Sequence, residues 1–241
     1  MRMRLSIRPI PLVATVLLVA LGLTLGQWQE RRAQQKIALQ AKLAERAQAA
    51  PLALDGTPLQ GASLGALEYR RVRLTGQFVR EWPLYLDNRP YQNRAGFYLL
   101  MPFRLDRSNM HVLVARGWQA RSLSSRLPAA LPTPTGSVTI EGVVKSGAGH
   151  VMELGQGAPL APGALVQNIT PEQLAQAAGI ALQPFIVEQT GPAQAGEALV
   201  RDWPAPALGV EKHKGYAFQW YALAAMAFIF FVVTGFKRGT E

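Results

Sequence analysis

Three histidines, His111, His150 and His213, are the first residues to weigh for chemistry. They lie too far apart to form a sequence-local metal motif. His111 opens an apolar stretch and His150 sits in a glycine-rich one, and both read as ordinary side chains. His213 differs. It stands in EKHKGYAFQWYALA, where an uncharged apolar run begins. A helix starting there puts His213, Tyr216, Ala217 and Trp220 on one face, at i, i+3, i+4 and i+7. An imidazole among aromatic rings at a membrane surface has the chemistry of an axial ligand to haem iron, and Lys212 and Lys214 could pair with the propionates of such a group. Gln219, inside the apolar run, needs a polar partner. The ordinary alternative is an interfacial aromatic belt carrying a solvated histidine. From these residues alone both readings stand.

Other chemistry is excluded more firmly. The chain has no cysteine, which removes disulfides, thiolate metal sites, C-x-x-C-H haem attachment and cysteine nucleophiles. There is no G-x-S-x-G elbow, H-E-x-x-H pair, Walker loop or dinucleotide fingerprint. The glycines of GAGHVMELGQG follow no phosphate-loop spacing. The carboxylates Asp87, Asp106, Glu141, Glu153 and Glu188 are scattered. The expectation is a protein that is not an enzyme. Lys and Arg outnumber Asp and Glu by 25 to 15, a net charge of +10. Such a balance favours nucleic acid or an anionic membrane surface. No basic run is interleaved with aromatics, so the lipid bilayer is the expected partner and nucleic acid is not.

Two segments must position His213. Pro9 to Gln27, PIPLVATVLLVALGLTLGQ, carries no charge and is long enough for a hydrocarbon core of about 30 Å. No A-x-A cleavage site follows, so it reads as a retained anchor rather than a signal peptide. Tyr216 to Phe236 is the second uncharged segment, with aromatics at its start and Lys237-Arg238 closing it. Two spans put both termini on one side. Arg2, Arg4 and Arg8 oppose Arg31, Arg32 and Lys36, and the short basic tails lean toward the cytoplasm. Gly22 and Gly26 form a G-x-x-x-G pair, and Ala217, Ala224 and Ala225 offer small residues on the other span. The two helices are therefore candidates to pack on each other.

Between the spans, Arg31 to Ala50 has helical composition without Gly or Pro and should extend the first span into water. A loop is expected from Pro51 to about Gly65. Then strands take over: Arg70 to Val79, with Gly76 standing in its alternation, Leu84 to Leu86, Phe97 to Leu105, Met110 to Trp118, Val138 to Val144 and Pro184 to Gln189. DRSN makes the third and fourth strands a hairpin. Pro102 calls for a kink, bulge or edge position. Pro-rich LPAALPTPTG and the stretch from Gly147 to Gly163 read as loops. Thr170-Pro171-Glu172-Gln173 is a capping-box helix start, ended by Gly179. The predicted fold is a membrane protein with two transmembrane helices flanking a mainly antiparallel β domain, barrel- or sandwich-like and α+β. In residue ranges this is a cytoplasmic tail 1–8, a span 9–27, an extracytoplasmic β-rich domain 28–212 opening with helix 31–50, a span 213–236 and a cytoplasmic tail 237–241.

In order along the chain, LGQWQERRAQQK, YRRVRLTGQF, LDNRPYQNRAGFYLLMPF, VLVARGW, PFIVEQ and HKGYAFQWYALA resemble the Surfeit locus protein 1 family of cytochrome c oxidase assembly factors. The resemblance implies a multi-pass protein whose central domain is periplasmic in bacteria. With no mitochondrial presequence before the first span, the expected location is the bacterial inner membrane. It further implies a chaperone-like part in respiratory chain biogenesis: maturation of oxidase subunit I, with haem a bound transiently. The family's proposed haem ligand matches His213, which makes His213 the expected metal site. Tyr216, Gln219 and Trp220 would complete the cofactor site, with Trp28 covering the ring from the first span. The domain would dock on nascent subunit I or on the haem a synthase. The alternative is a membrane-anchored scaffold that stabilises subunit I and touches no haem.

Overall fold

A computed structural model describes residues 3–5, 9–122, 131–152, 159–192, 196–204 and 208–238. Glu153, parts of both expected loops and most of the two tails lie outside the described residues. In order, the elements are β1 (Met3–Leu5), α1 (Pro9–Gln48), β2 (Leu52–Ala53), α2 (Ala62–Leu67), β3 (Arg71–Phe78), β4 (Leu84–Leu86), β5 (Gly96–Leu105), β6 (His111–Ala120), β7 (Val138–Lys145), β8 (Leu165–Val166), α3 (Pro171–Ala178), β9 (Leu182–Gln189), α4 (Val210–Gly235) and β10 (Phe236–Arg238). The chain divides into two compact units, residues 1–42 with 205–241, and residues 43–204.

The first unit is a pair of helices. The expected span and its watery extension form one 40-residue helix, α1. Pro9 and Pro11 sit in its first turn, where a missing N–H leaves no bond unmade. Both α1 and α4 are long and apolar enough to cross a membrane. Ile10, Leu17, Phe218 and Phe230 stand exposed on them, a display suited to lipid rather than water. β1 pairs antiparallel with β10, so the start of α1 and the end of α4 lie together.

The helices touch through their smallest residues. Gly22, Gly26 and Ala33 are buried on α1, and Ala217 and Ala224 on α4. A Cβ on Gly22 would stand 2.9 Å from the Ala224 Cβ and 2.9 Å from the Trp220 carbonyl oxygen, and one on Gly26 would stand 2.7 Å from Tyr221 Cδ1. The G-x-x-x-G pair thus forms the contact, as its spacing predicts. Ala225, also expected there, is exposed.

The second unit is a β-barrel. Ladders run β3–β7–β9–β6–β5, and a further β3–β5 pairing closes the ring. All of these are antiparallel except β6–β9, which is parallel. Closure uses one side of β5 twice. Its first half pairs with β4 and its last three residues with β3. Pro102 falls between those partners, and its carbonyl accepts from the Val79 amide at 2.9 Å. Amide and carbonyl of one strand residue point the same way, so the proline's missing N–H faces this gap and the β6 ladder loses nothing. Gly76 marks the closure. A Cβ there would collide with the Arg104 carbonyl oxygen and lie 3.0 Å from Leu105 Cα.

Alternation fills the barrel. Val72 and Leu74, Phe97 to Leu105 at every second position, Val112, Val114, Ile140, Phe185 and Val187 form one core. The outward Leu84, Leu86, Leu100, Leu113 and Ile186 form a second, covered by Leu174 of α3. That helix carries the predicted capping box: Thr170 Oγ1 accepts from the Gln173 amide at 3.2 Å and Gln173 Oε1 from the Thr170 amide at 2.9 Å. Gly179 ends it at φ 65°. The loop expected from Pro51 to Gly65 is corrected: it holds β2, and α2 begins before it ends. Both are too short to leave a periodic signal.

Candidate functional site

On α1 the stripe Gly22, Gly26, Gln29, Ala33 runs at i, i+4, i+7, i+11. On α4, His213, Ala217 and Ala224 run at i, i+4, i+11. With glycine and alanine setting a close approach, the two polar residues of these stripes meet: His213 Nδ1 lies 2.8 Å from Gln29 Oε1. The amide oxygen can only accept, so Nδ1 is the donor in this contact. That arrangement would leave Nε2 to serve a metal, as in a histidine ligand whose other nitrogen is held by an oxygen. At the neighbouring α1 residue, Tyr221 donates to Glu30 Oε2 at 3.1 Å.

Beyond His213, toward the apolar end of α4, lies a pocket of roughly 360 Å³. Leu18, Leu21 and Gly22 line it from α1, and Trp220, Leu223, Met226, Ala227 and Phe230 from α4. The expected site residues therefore separate. His213 and Trp220 lie on the side of α4 that meets α1. Tyr216 is 53% exposed, because a residue three places on is turned about 60° from His213, away from Ala217. Gln219 is also exposed. Trp28 is half exposed, with the Arg32 guanidinium 5.7 Å from its ring centroid. Gln29 was not among the expected site residues. It was legible as the next member of the Gly22, Gly26 stripe. Among the described residues, no three His, Asp or Glu side chains converge on a common point, so His213 offers a single protein nitrogen.

The model of the SURF1 family matches residues 16–225, from within the first apolar helix to within the second. The chain belongs to this family. It is 25% identical to a SURF1-like protein of Monosiga brevicollis over 235 residues, 90% of this chain and 84% of that one. It is 32% identical to a SURF1-like protein of Rickettsia bellii over 109 residues, 44% of this chain and 41% of the relative. It is also 32% identical to the cytochrome oxidase assembly protein SHY1 of Saccharomyces cerevisiae over 94 residues, 39% of this chain and 24% of the yeast protein. In the last two the chain spans less than half of the relative's length.

The barrel of this SURF1 family member also holds a buried charge network that the sequence reading missed. The β5–β6 register passes from Leu100↔Ala115 to Leu99↔Gly117, which leaves Arg116 as the extra residue of a β-bulge. Its side chain is 1% exposed and pairs with Glu197, 2% exposed. It also donates to Thr133 Oγ1 at 2.7 Å and the Pro132 carbonyl at 3.0 Å. Arg201 reaches the other Glu197 oxygen at 2.6 Å and the Arg116 carbonyl at 2.8 Å. Burial pushes the Arg116 guanidinium below its usual range, while Glu197 works against the shift. A lone arginine before glycine in the apolar strand VLVARGW was the available signal.

Proposed function

We propose that this protein is a membrane-anchored assembly factor for cytochrome oxidase that holds haem a as cargo between its two spans and passes it toward subunit I. Oxidase assembly is the role named for the yeast relative. Both helices cross the bilayer in this reading. The short basic tails stay in the cytoplasm and the barrel stands outside it, in the periplasm of a bacterium, where it docks on nascent subunit I or on the haem a synthase.

The observation that carries the haem reading is the His213–Gln29 contact. A metal-binding imidazole ordinarily donates its second N–H to an oxygen that fixes the tautomer and raises the basicity of the free nitrogen. Gln29 Oε1 does so here. His213 is half-buried, and the oxygen it meets belongs to the other helix of the pair. Haem a supplies an iron that takes a histidine nitrogen and a long isoprenoid tail that prefers lipid. The pocket below Trp220 suits such a tail, since its walls are apolar on both helices. Trp28 and Tyr216, exposed aromatics near the same end of the pair, would cover the macrocycle, and Gln219 would face its polar edge. Carriage asks the protein to bind, shield and release, and makes or breaks no bond in the chain.

The test is the visible spectrum of the full chain purified in mild detergent from a host that makes haem a. The expected wild-type spectrum is that of haem a, lost in His213→Ala. No haem in either protein, with oxidase still failing to mature when the chain is deleted, would replace the carrier by a scaffold that stabilises subunit I.

A further inference from the structure

Between β4 and β5 the chain turns through DNRPYQNRA, residues 87–95. Three residues there hold positive φ without being glycine: Asn88 at 57°, Gln92 at 47° and Asn93 at 60°. Tyr91 and Arg94 exchange both backbone hydrogen bonds, at 3.0 and 2.9 Å. Gln92 and Asn93 are therefore the central pair of a two-residue turn, and positive φ at both makes it type I′. Asn-Gly builds that turn with least strain. Here glycine is absent, and the first place holds glutamine, which has no special tolerance of the left-handed region. The chain keeps two side chains at a tip that would fold better without one of them.

The base of the loop is fixed. Arg89 is 6% exposed. Its guanidinium donates to the carbonyls of Asp87 at 3.0 Å, Asn88 at 3.3 Å, Gly149 at 3.2 Å and Gln167 at 3.1 Å. Its own carbonyl accepts from Trp118 Nε1 at 2.7 Å. The Tyr91 ring packs on Trp118 with centroids 5.2 Å apart, and its hydroxyl donates to Asp202 at 2.8 Å. Little freedom remains for the tip to lose on binding.

What the fixed base presents is polar and cationic. Gln92, Asn93 and Arg94 are exposed. The loop's own carboxylate, Asp87, is engaged by Arg121, and the neighbouring Asp202 by Tyr91. The Arg94 guanidinium lies 5.9 Å from the Trp118 ring centroid, and among the described residues no carboxylate lies within 4.0 Å of it. A planar cation on a stacked stem, beside an uncommitted amide, is a receptor for a carboxylate.

We propose that the tip Gln92–Arg94 is a docking element for a protein partner that presents an acidic side chain. Arg94 takes the carboxylate and Asn93 bonds the partner's backbone beside it. This stands apart from the haem reading, because every residue it uses belongs to the barrel.

The test places the photocrosslinker p-benzoylphenylalanine at position 95 of the full chain, in membranes of a host where it functions. One discrete protein adduct is expected, its crosslinked peptide containing Asp or Glu. The adduct should fall at least tenfold in Arg94→Glu and persist in Arg104→Glu, an exposed arginine on β5. In the second variant, Gln92→Asn with Asn93→Gly, relief of the turn should raise the melting temperature by about 2–4 °C while the adduct is lost. That pairing separates lost recognition from lost folding. No adduct, an adduct indifferent to Arg94→Glu, or a stabilised turn variant that keeps its adduct would each overturn the proposal. Deleting the whole chain without effect on oxidase would remove the assembly role, and the crosslink would still decide docking.

Discussion

Glu197→Gln should be among the most destabilising single changes in the barrel. Its two oxygens hold Arg116 and Arg201, whose side chains are 1% and 5% exposed. The amide keeps the shape and removes the charge, leaving two guanidinium groups out of water without their counter-ion. Breaking one side of a buried ion pair costs about 3–5 kcal/mol. In a domain of this size each kcal/mol moves the melting temperature by about 2–4 °C. The expected fall is therefore roughly 6–20 °C, read by near-ultraviolet circular dichroism or by the fluorescence of buried Trp118. Arg73→Ala supplies the contrast. It also removes a partner from a carboxylate, Glu141 at 2.7 Å, but the Arg73 side chain is 53% exposed, and such pairs contribute about 0–1 kcal/mol. Combining Arg116→Met with Glu197→Gln should cost less than the two singles summed, since the second change no longer strands the first. If Glu197→Gln melts within about 3 °C of wild type, the buried network is not what holds the bulge.

Gln29→Leu removes the oxygen that meets His213 Nδ1, and haem a affinity should fall by about 10- to 100-fold in a spectral titration while the barrel's melting is unchanged. Gly26→Leu should drive the helices apart against Tyr221; loss of energy transfer between labels at the ends of α1 and α4 would report it, and unchanged transfer would refute the close contact. Gly76→Val should prevent barrel closure and leave no cooperative near-ultraviolet transition. Arg73 and Arg71 hold the Glu141 carboxyl below its ordinary range. A depressed folded pKa means the unfolded chain takes up its proton first as pH falls, so stability is present above the ordinary carboxylate range and lost on acidification through it. Glu141→Gln should flatten the acid side of the melting-temperature profile, and an unaltered slope would count against the pairing.

Strand patterning made most of the barrel legible in the sequence. Alternation located β3, and apolar runs bounded by turn residues located β5, β6, β7 and β9, all to within about two residues; β5 and β6 bury both faces, so their runs are nearly continuous. The order of those strands was not legible, since pairing is set by partners far apart in the chain and leaves no local period. The parallel β6–β9 ladder is the clearest case. At the candidate site, His213 was legible from its place at the head of an apolar helix, and the helix contact from glycine spacing. Tyr216 and Gln219 lie off that contact because three- and six-residue steps turn them about 60° and about 120° away from His213. Arg116 escaped notice because its inward turn depends on a bulge created by the register of a neighbouring strand.

The ring is completed by β9, the last of its strands to be synthesised, which lies between β7 and β6. Until Leu182–Gln189 arrives, those two strands are edges with a row of unpaired amides and carbonyls, the surface on which chains associate with one another. A polypeptide interrupted before Leu182 would thus keep most of its apolar strands and lose the means of sealing them. Its fate would be aggregation or clearance by proteases rather than partial activity. The order of synthesis therefore turns β9 into a checkpoint: the barrel is proofread for completeness by its own topology, only about twenty residues before α4 emerges.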